Sequence, residues 1–169
     1  MNVSAFIDRL SHSSMVISSL IEGVNTEQAR WKPSPDRWSI LEVINHLSDE
    51  ERDDFRARLD YLLHRPGQPL PPIDPPRWAI ERKYNERDLD ESLERFLGER
   101  RSSLQWLENL RDPNWEQTHQ LPHGPIRAGD ILASWAAHDL LHIRQLTKLH
   151  YEYLNGESDP FQTQYAGNW

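Results

Sequence analysis

The sequence contains no cysteine. That one absence excludes disulfides, thiolate metal ligands and a cysteine nucleophile together. No apolar run reaches the roughly 18 residues a membrane-spanning helix needs, so no membrane partner is expected. The first nine residues, MNVSAFIDR, lack a basic stretch followed by an apolar one, and no secretory signal is visible. A cytoplasmic location is the simplest expectation. Positive charge is also scarce, with 19 Lys and Arg against 27 Asp and Glu, a net charge of −8. A nucleic-acid binder normally shows a basic footprint, so that class is set aside.

What is present points to helices. The 169 residues suggest a single domain over 1–169, long enough to bury about two-thirds of its unfolded surface. Apolar spacing through Val3, Phe6, Ile7, Leu10, Ile17 and Ile21 predicts a first helix over 3–22, stopped at Gly23. A short turn is expected over 26–30. Ser39-Ile40-Leu41-Glu42 is a capping box, so a second helix starts there and runs to about His64. Its apolar period (Ile40, Ile44, Leu47, Phe55, Leu59, Leu62) is interrupted by Glu51. Residues 65–77 hold six prolines in thirteen positions. They read as a stiff, extended, proline-rich crossover between helices 2 and 3. Asp88 caps a third helix through Leu89, Leu93, Phe96, Leu97, Leu104, Leu107 and Leu110. Residues 115–127 read as a loop or short hairpin, with no convincing strand. A fourth helix is expected over 128–153, closed by Asn155-Gly156. The tail ends in aromatic residues expected to dock. The resulting fold class is all-α, a four-helix bundle. The seven tryptophans are mainly core and loop anchors, with the remainder lining pockets.

The fourth helix carries the chemistry. Ile131, Trp135, His138, His142, Gln145 and Leu149 step by alternating fours and threes, the stripe a bundle helix turns toward its partners. Three consecutive members of that stripe are polar. Left unpaired inside a bundle, each would cost roughly 1–3 kcal/mol. Residues i and i+4 lie one above the other on a helix, so His138 and His142 can share one metal ion. His46, in the middle of helix 2 beside its apolar stripe, is the natural third ligand. Three neutral imidazoles suit Zn, Ni, Fe or Cu and leave a position for water or substrate. A divalent ion so placed brings the pKa of a water toward neutrality. Glu42 and Glu50, four residues either side of His46, are candidates to hold its free nitrogen, or else solvated face charges. Gln145 continues the seam toward a bound ligand. Asp139 points about 100° away from His138 and pairs with another helix or with solvent. His12, His64, His119, His123 and His150 are assigned surface or local roles, with His119 and His123 able to rim a pocket.

Two stretches together resemble a known family. Arg37-Trp38-Ser39-Ile40-Leu41-Glu42-Val43-Ile44-Asn45-His46-Leu47 resembles a W-S-hydrophobic…H-L second helix. Ala137-His138-Asp139-Leu140-Leu141-His142-Ile143-Arg144-Gln145-Leu146 resembles an H-D-x-x-H-hydrophobic-x-Q fourth helix. Both are features of the DinB-like superfamily, which includes YfiT-type proteins, and the likeness covers most of the chain in order and spacing. The resemblance implies a four-helix bundle and a divalent ion, often nickel or zinc with iron, manganese or cobalt as alternatives. It assigns that ion to His46, His138 and His142. It implies a small-molecule substrate, a homodimer as one possible assembly, and activities that include transferases and isomerases using low-molecular-weight thiols such as bacillithiol or mycothiol.

Three readings of function remain open at this point. The first is a metal-dependent enzyme, a thiol transferase or isomerase, or a hydrolase, acting on a small electrophile. The second is a non-catalytic metal- or ligand-binding stress-response protein whose site is closed by a fourth protein ligand or holds nothing exchangeable. The third has no metal, the histidines satisfying one another and Gln145 by hydrogen bonds.

Overall fold

The computed structural model describes residues 1–122 and 124–167. The chain forms α1 (Val3–Ile21), the short α2 (Thr26–Arg30), α3 (Ile40–Asp49), a π-helical turn (Glu50–Phe55) and α4 (Arg56–His64). Next come α5 (Pro75–Glu81), a 3₁₀ turn (Tyr84–Glu86), α6 (Leu89–Asn109), β1 (Thr118–Leu121), β2 (Gly124–Arg127) and α7 (Ala128–Glu157). The strands pair antiparallel, with Thr118 opposite Arg127. Four long helical units make the bundle: α1, the continuous α3–π–α4 rod, α6 and α7. Among the described residues no helix is long and apolar enough to cross a membrane.

The core is two apolar clusters stacked along the bundle. One holds Leu10, Leu59, Leu62, Leu107, Leu132 and Trp135. The other holds Ile17, Ile44, Leu47, Phe96, Leu146 and Leu149. Following the residue numbers between clusters gives the direction of each helix. α1 and α7 run from the first cluster to the second, and the α3–α4 rod and α6 run back. α1 packs on α6 and α7, and the rod packs on the same two. Because the rod and α6 run the same way, residues 65–88 must return the length of the rod, roughly 35 Å at about 1.5 Å per residue. The proline-rich crossover does this with stiff chain, which loses little entropy on being fixed.

Several expectations are corrected at element ends. The crossover is extended only to Asp74. Its last residues open α5, because the Asp74 side chain caps the Arg77 amide at 3.2 Å and Pro75 sits where a missing N–H costs nothing. α7 runs past Asn155-Gly156 to Glu157. A glycine costs a helix about 1 kcal/mol, too little to stop one this long. The 115–127 segment takes the hairpin alternative, with two short strands where no strand was expected. Tyr165 is fully exposed rather than docked, since the 3₁₀ turn Gln164–Ala166 that carries it stands off the bundle. Trp169 and His123 lie outside the described residues.

Candidate metal centre

Between the two apolar clusters every long helical unit turns polar residues inward: Ser13 and Ser14 from α1, Glu50 and Glu51 from the π turn, Arg100 and Ser103 from α6, Asp139 from α7. The three seam histidines lie in this layer. α3 sets the position of His46. Its capping box is intact, with the Glu42 amide donating to Ser39 Oγ at 3.1 Å and the Ser39 amide donating to Glu42 Oε2 at 2.8 Å. That start places His46 two turns in, against the middle of α7.

His46, His138 and His142 meet at their Nε2 atoms. The separations are 3.3 Å for His46–His138, 3.1 Å for His46–His142 and 3.0 Å for His138–His142. Nitrogens sharing one ion at about 2.0–2.1 Å fall at separations of this size. Among the described residues this is the one group of three or more His, Asp or Glu side chains with metal-binding geometry, and no fourth such ligand joins it.

The environment suits ligands. Burial, then the like charge of neighbouring rings, holds the imidazoles neutral. His46 is pushed down to about 2 and His138 to about 3. His142 is lowered by burial against the opposing pull of Gln145. His142 Nδ1 lies 2.8 Å from Gln145 Oε1, so Nδ1 donates and Nε2 carries a bare lone pair. His46 Nδ1 and Glu50 Oε1 are 3.6 Å apart, both buried and both without a hydrogen-bond partner. Burial, followed by the Asp54 carboxyl, pushes Glu50 up to about 9. With ring and carboxyl both neutral, this contact is not an ion pair as it stands. A cation at the Nε2 triangle reverses that direction, favouring a charged carboxylate that accepts from Nδ1. Trp38 covers His46 with ring centroids 4.8 Å apart, and the edge of Phe55 meets His138 at 5.1 Å. A pocket of about 560 Å³ reaches His142 and Gln145, with Leu141, Arg144 and Lys148 on its walls.

Glu42 does not reach His46. Its carboxylate is spent on the helix cap and on Lys32 at 3.1 Å. Asp139 does pair with another helix. It grips Arg100 through two bonds of 2.6 and 2.8 Å, and Arg100 also donates to Glu51 at 2.7 Å and to the Leu10 carbonyl at 2.6 Å. Trp135 Nε1 donates to the same Glu51 oxygen at 2.6 Å. Burial pushes Glu51 up, against the pull of Arg100. Sequence reasoning missed Arg100. The signal was available: Phe96, Arg100, Ser103 and Leu107 form the same four-three-four seam that singled out the histidines.

The profile of the DinB superfamily matches residues 9–146. The chain belongs to the DinB superfamily. A curated relative from Oceanobacillus iheyensis, named "Putative metal-dependent hydrolase", is 25% identical over 149 residues, 87% of this chain and 85% of that protein. Among solved structures, YfiT from Bacillus subtilis matches this DinB-superfamily chain with a TM-score of 0.78 and 18% identity, covering 89% of this chain and 87% of that one. YfiT is described as "a probable metal-dependent hydrolase with an unusual four-helix bundle topology". At that identity the likeness shows the fold.

Proposed function

We propose that this chain is a metal-dependent enzyme that hydrolyses a small electrophilic substrate, with His46, His138 and His142 holding one divalent ion. The observation that carries the reading is the buried triangle of Nε2 atoms, 3.0–3.3 Å on each side. The name of the Oceanobacillus relative supports hydrolysis. Imidazole ligands and this spacing favour zinc or nickel. When bound, such an ion supplies Lewis acidity, polarising a substrate oxygen or bringing a water's pKa toward neutrality. Gln145 accepts from Nδ1 of His142 and keeps its Nε2 free for the ion; Glu50, 3.6 Å from Nδ1 of His46, would take the same part for His46 once an ion is held. Trp38 and Phe55 exclude water from two sides. The pocket beside His142 admits the substrate. With no fourth protein ligand among the described residues, the arrangement favours an enzyme over a sealed storage site.

Transfer to an external low-molecular-weight thiol is a second reading, favoured by the absence of cysteine from the chain. One experiment separates the two. Protein loaded with Co(II) is assayed on chromogenic esters and amides, and its visible spectrum is followed during thiol addition. Hydrolysis lost in His142→Ala, with a spectrum indifferent to thiol, is the expected result. A thiol-dependent spectral change without hydrolysis supports transfer. Equal hydrolysis by His142→Ala contradicts the site.

A further inference from the structure

Round α3 from the histidines, Asn45 faces α6 and the 3₁₀ turn and is fully buried. Its Oδ1 accepts from two guanidinium groups, Arg87 Nη1 at 3.2 Å and Arg95 Nη2. Its Nδ2 is committed to the Leu41 carbonyl at 2.9 Å and to Ser92 Oγ at 3.0 Å. Two cations thus converge on one neutral oxygen. Among the described residues neither forms an ion pair, although the protein carries a net charge of −8. Arg95 Nε is buried and has no hydrogen-bond partner. Both arginines line a recess of about 350 Å³ shared with Asp88, Glu91 and Ser92. The Asp88 carboxylate is occupied as the α6 cap, accepting from the Glu91 amide at 3.0 Å. Glu91 itself is exposed at the rim.

We propose that Arg87 and Arg95 form a second binding site, which takes the carboxylate or phosphate group of a small anion. Like charges held together around a single amide oxygen repel, and a partly buried N–H without an acceptor is costly. An anion in the recess offsets the repulsion and offers acceptors to the guanidinium groups that line it. The planar fork of arginine matches an oxyanion with paired bonds, the geometry by which proteins recognise carboxylates and phosphates. Ser92, buried, lines the recess between them. The site stands apart from the histidine triangle, because Asn45 and His46 project from different faces of α3.

Calorimetric titration at constant ionic strength tests the site, with inorganic phosphate in one arm and acetate in the other. The expected result is one saturable site for at least one of the two anions, and the arm that saturates tells phosphate from carboxylate. Arg95→Gln and Arg87→Gln weaken it at least tenfold, Arg95→Lys retains measurable binding, and Glu91→Gln tightens it by removing a like charge at the rim. His138→Ala binds the anion as the native protein does. Absence of saturation in both arms overturns the proposal. So does native affinity in both Arg→Gln variants. Binding lost in His138→Ala but kept in Arg95→Gln also overturns it, by placing the anion at the histidines. Thermal melting of each variant checks that a loss of binding is not a loss of fold.

Discussion

His142 and His46 present the same nitrogen to the triangle but are held in different ways. His142 is fixed at 2.8 Å by Gln145, three residues along its own helix. His46 has Glu50 one turn along at 3.6 Å, too long for a hydrogen bond, and in the proposed reading Glu50 accepts from its Nδ1 only with an ion held. Glu50→Leu removes the acceptor while keeping the volume. It is expected to weaken divalent-ion affinity about 10–100-fold, the usual cost of losing such a partner. The urea midpoint of the metal-free protein should hold or rise, since a buried carboxyl is removed; a lower midpoint with unchanged ion affinity contradicts this role. The imidazoles also set a pH dependence. Their folded values lie below the ordinary 6.5, at about 2 for His46 and about 3 for His138. The unfolded chain therefore takes up protons that the folded chain refuses. The stability these rings contribute is present above about pH 6.5 and drains as pH falls toward the folded values. Nitrogen NMR of the metal-free protein at pH 5 should show His46 and His138 neutral; titration near 6.5 contradicts that.

At the scale of elements, the π turn and Arg100 assemble the polar layer. The wide turn over Glu50–Phe55 carries two consecutive buried carboxyls, Glu50 at 4% exposure and Glu51 at 2%. One faces His46 and the other faces Arg100 and Trp135. The sequence shows this as a fault, an apolar period broken at Glu51, and nothing in a regular 3.6-residue pattern says that the helix widens there instead of ending. Helix starts were easier to read, because Ser39 and Asp88 declare themselves through cap chemistry. α5 was hidden among prolines because a lone capping aspartate is a weaker signal than a run of six prolines. Arg100 binds the π turn and α1 to α7 between the two histidines of α7. Arg100→Met leaves Glu51 and Asp139 buried without their cation. A loss of about 3–5 kcal/mol is expected, read from urea denaturation; a loss under about 1 kcal/mol contradicts this role for the network.

Across the whole molecule, two apolar clusters hold the bundle together and the polar layer between them holds the site. The apolar seams were legible in the sequence and gave the bundle. The polar interruptions of those seams gave the histidines. What brings His46 to α7 is the topology, with the rod and α6 running the same way and a long return between them. Spacing within one helix carries no information about which helices are neighbours. The match to YfiT at a TM-score of 0.78 shows that this arrangement recurs at low sequence identity. The measurement that bears most directly on the central claim is the metal content of untagged protein, compared between the native chain and His46→Ala after equal exposure to Zn(II) and Ni(II). The account predicts one tightly held divalent ion per native chain and its loss from the variant, with the variant still helical by circular dichroism. Equal metal content in the two proteins, or none in the native chain, contradicts it.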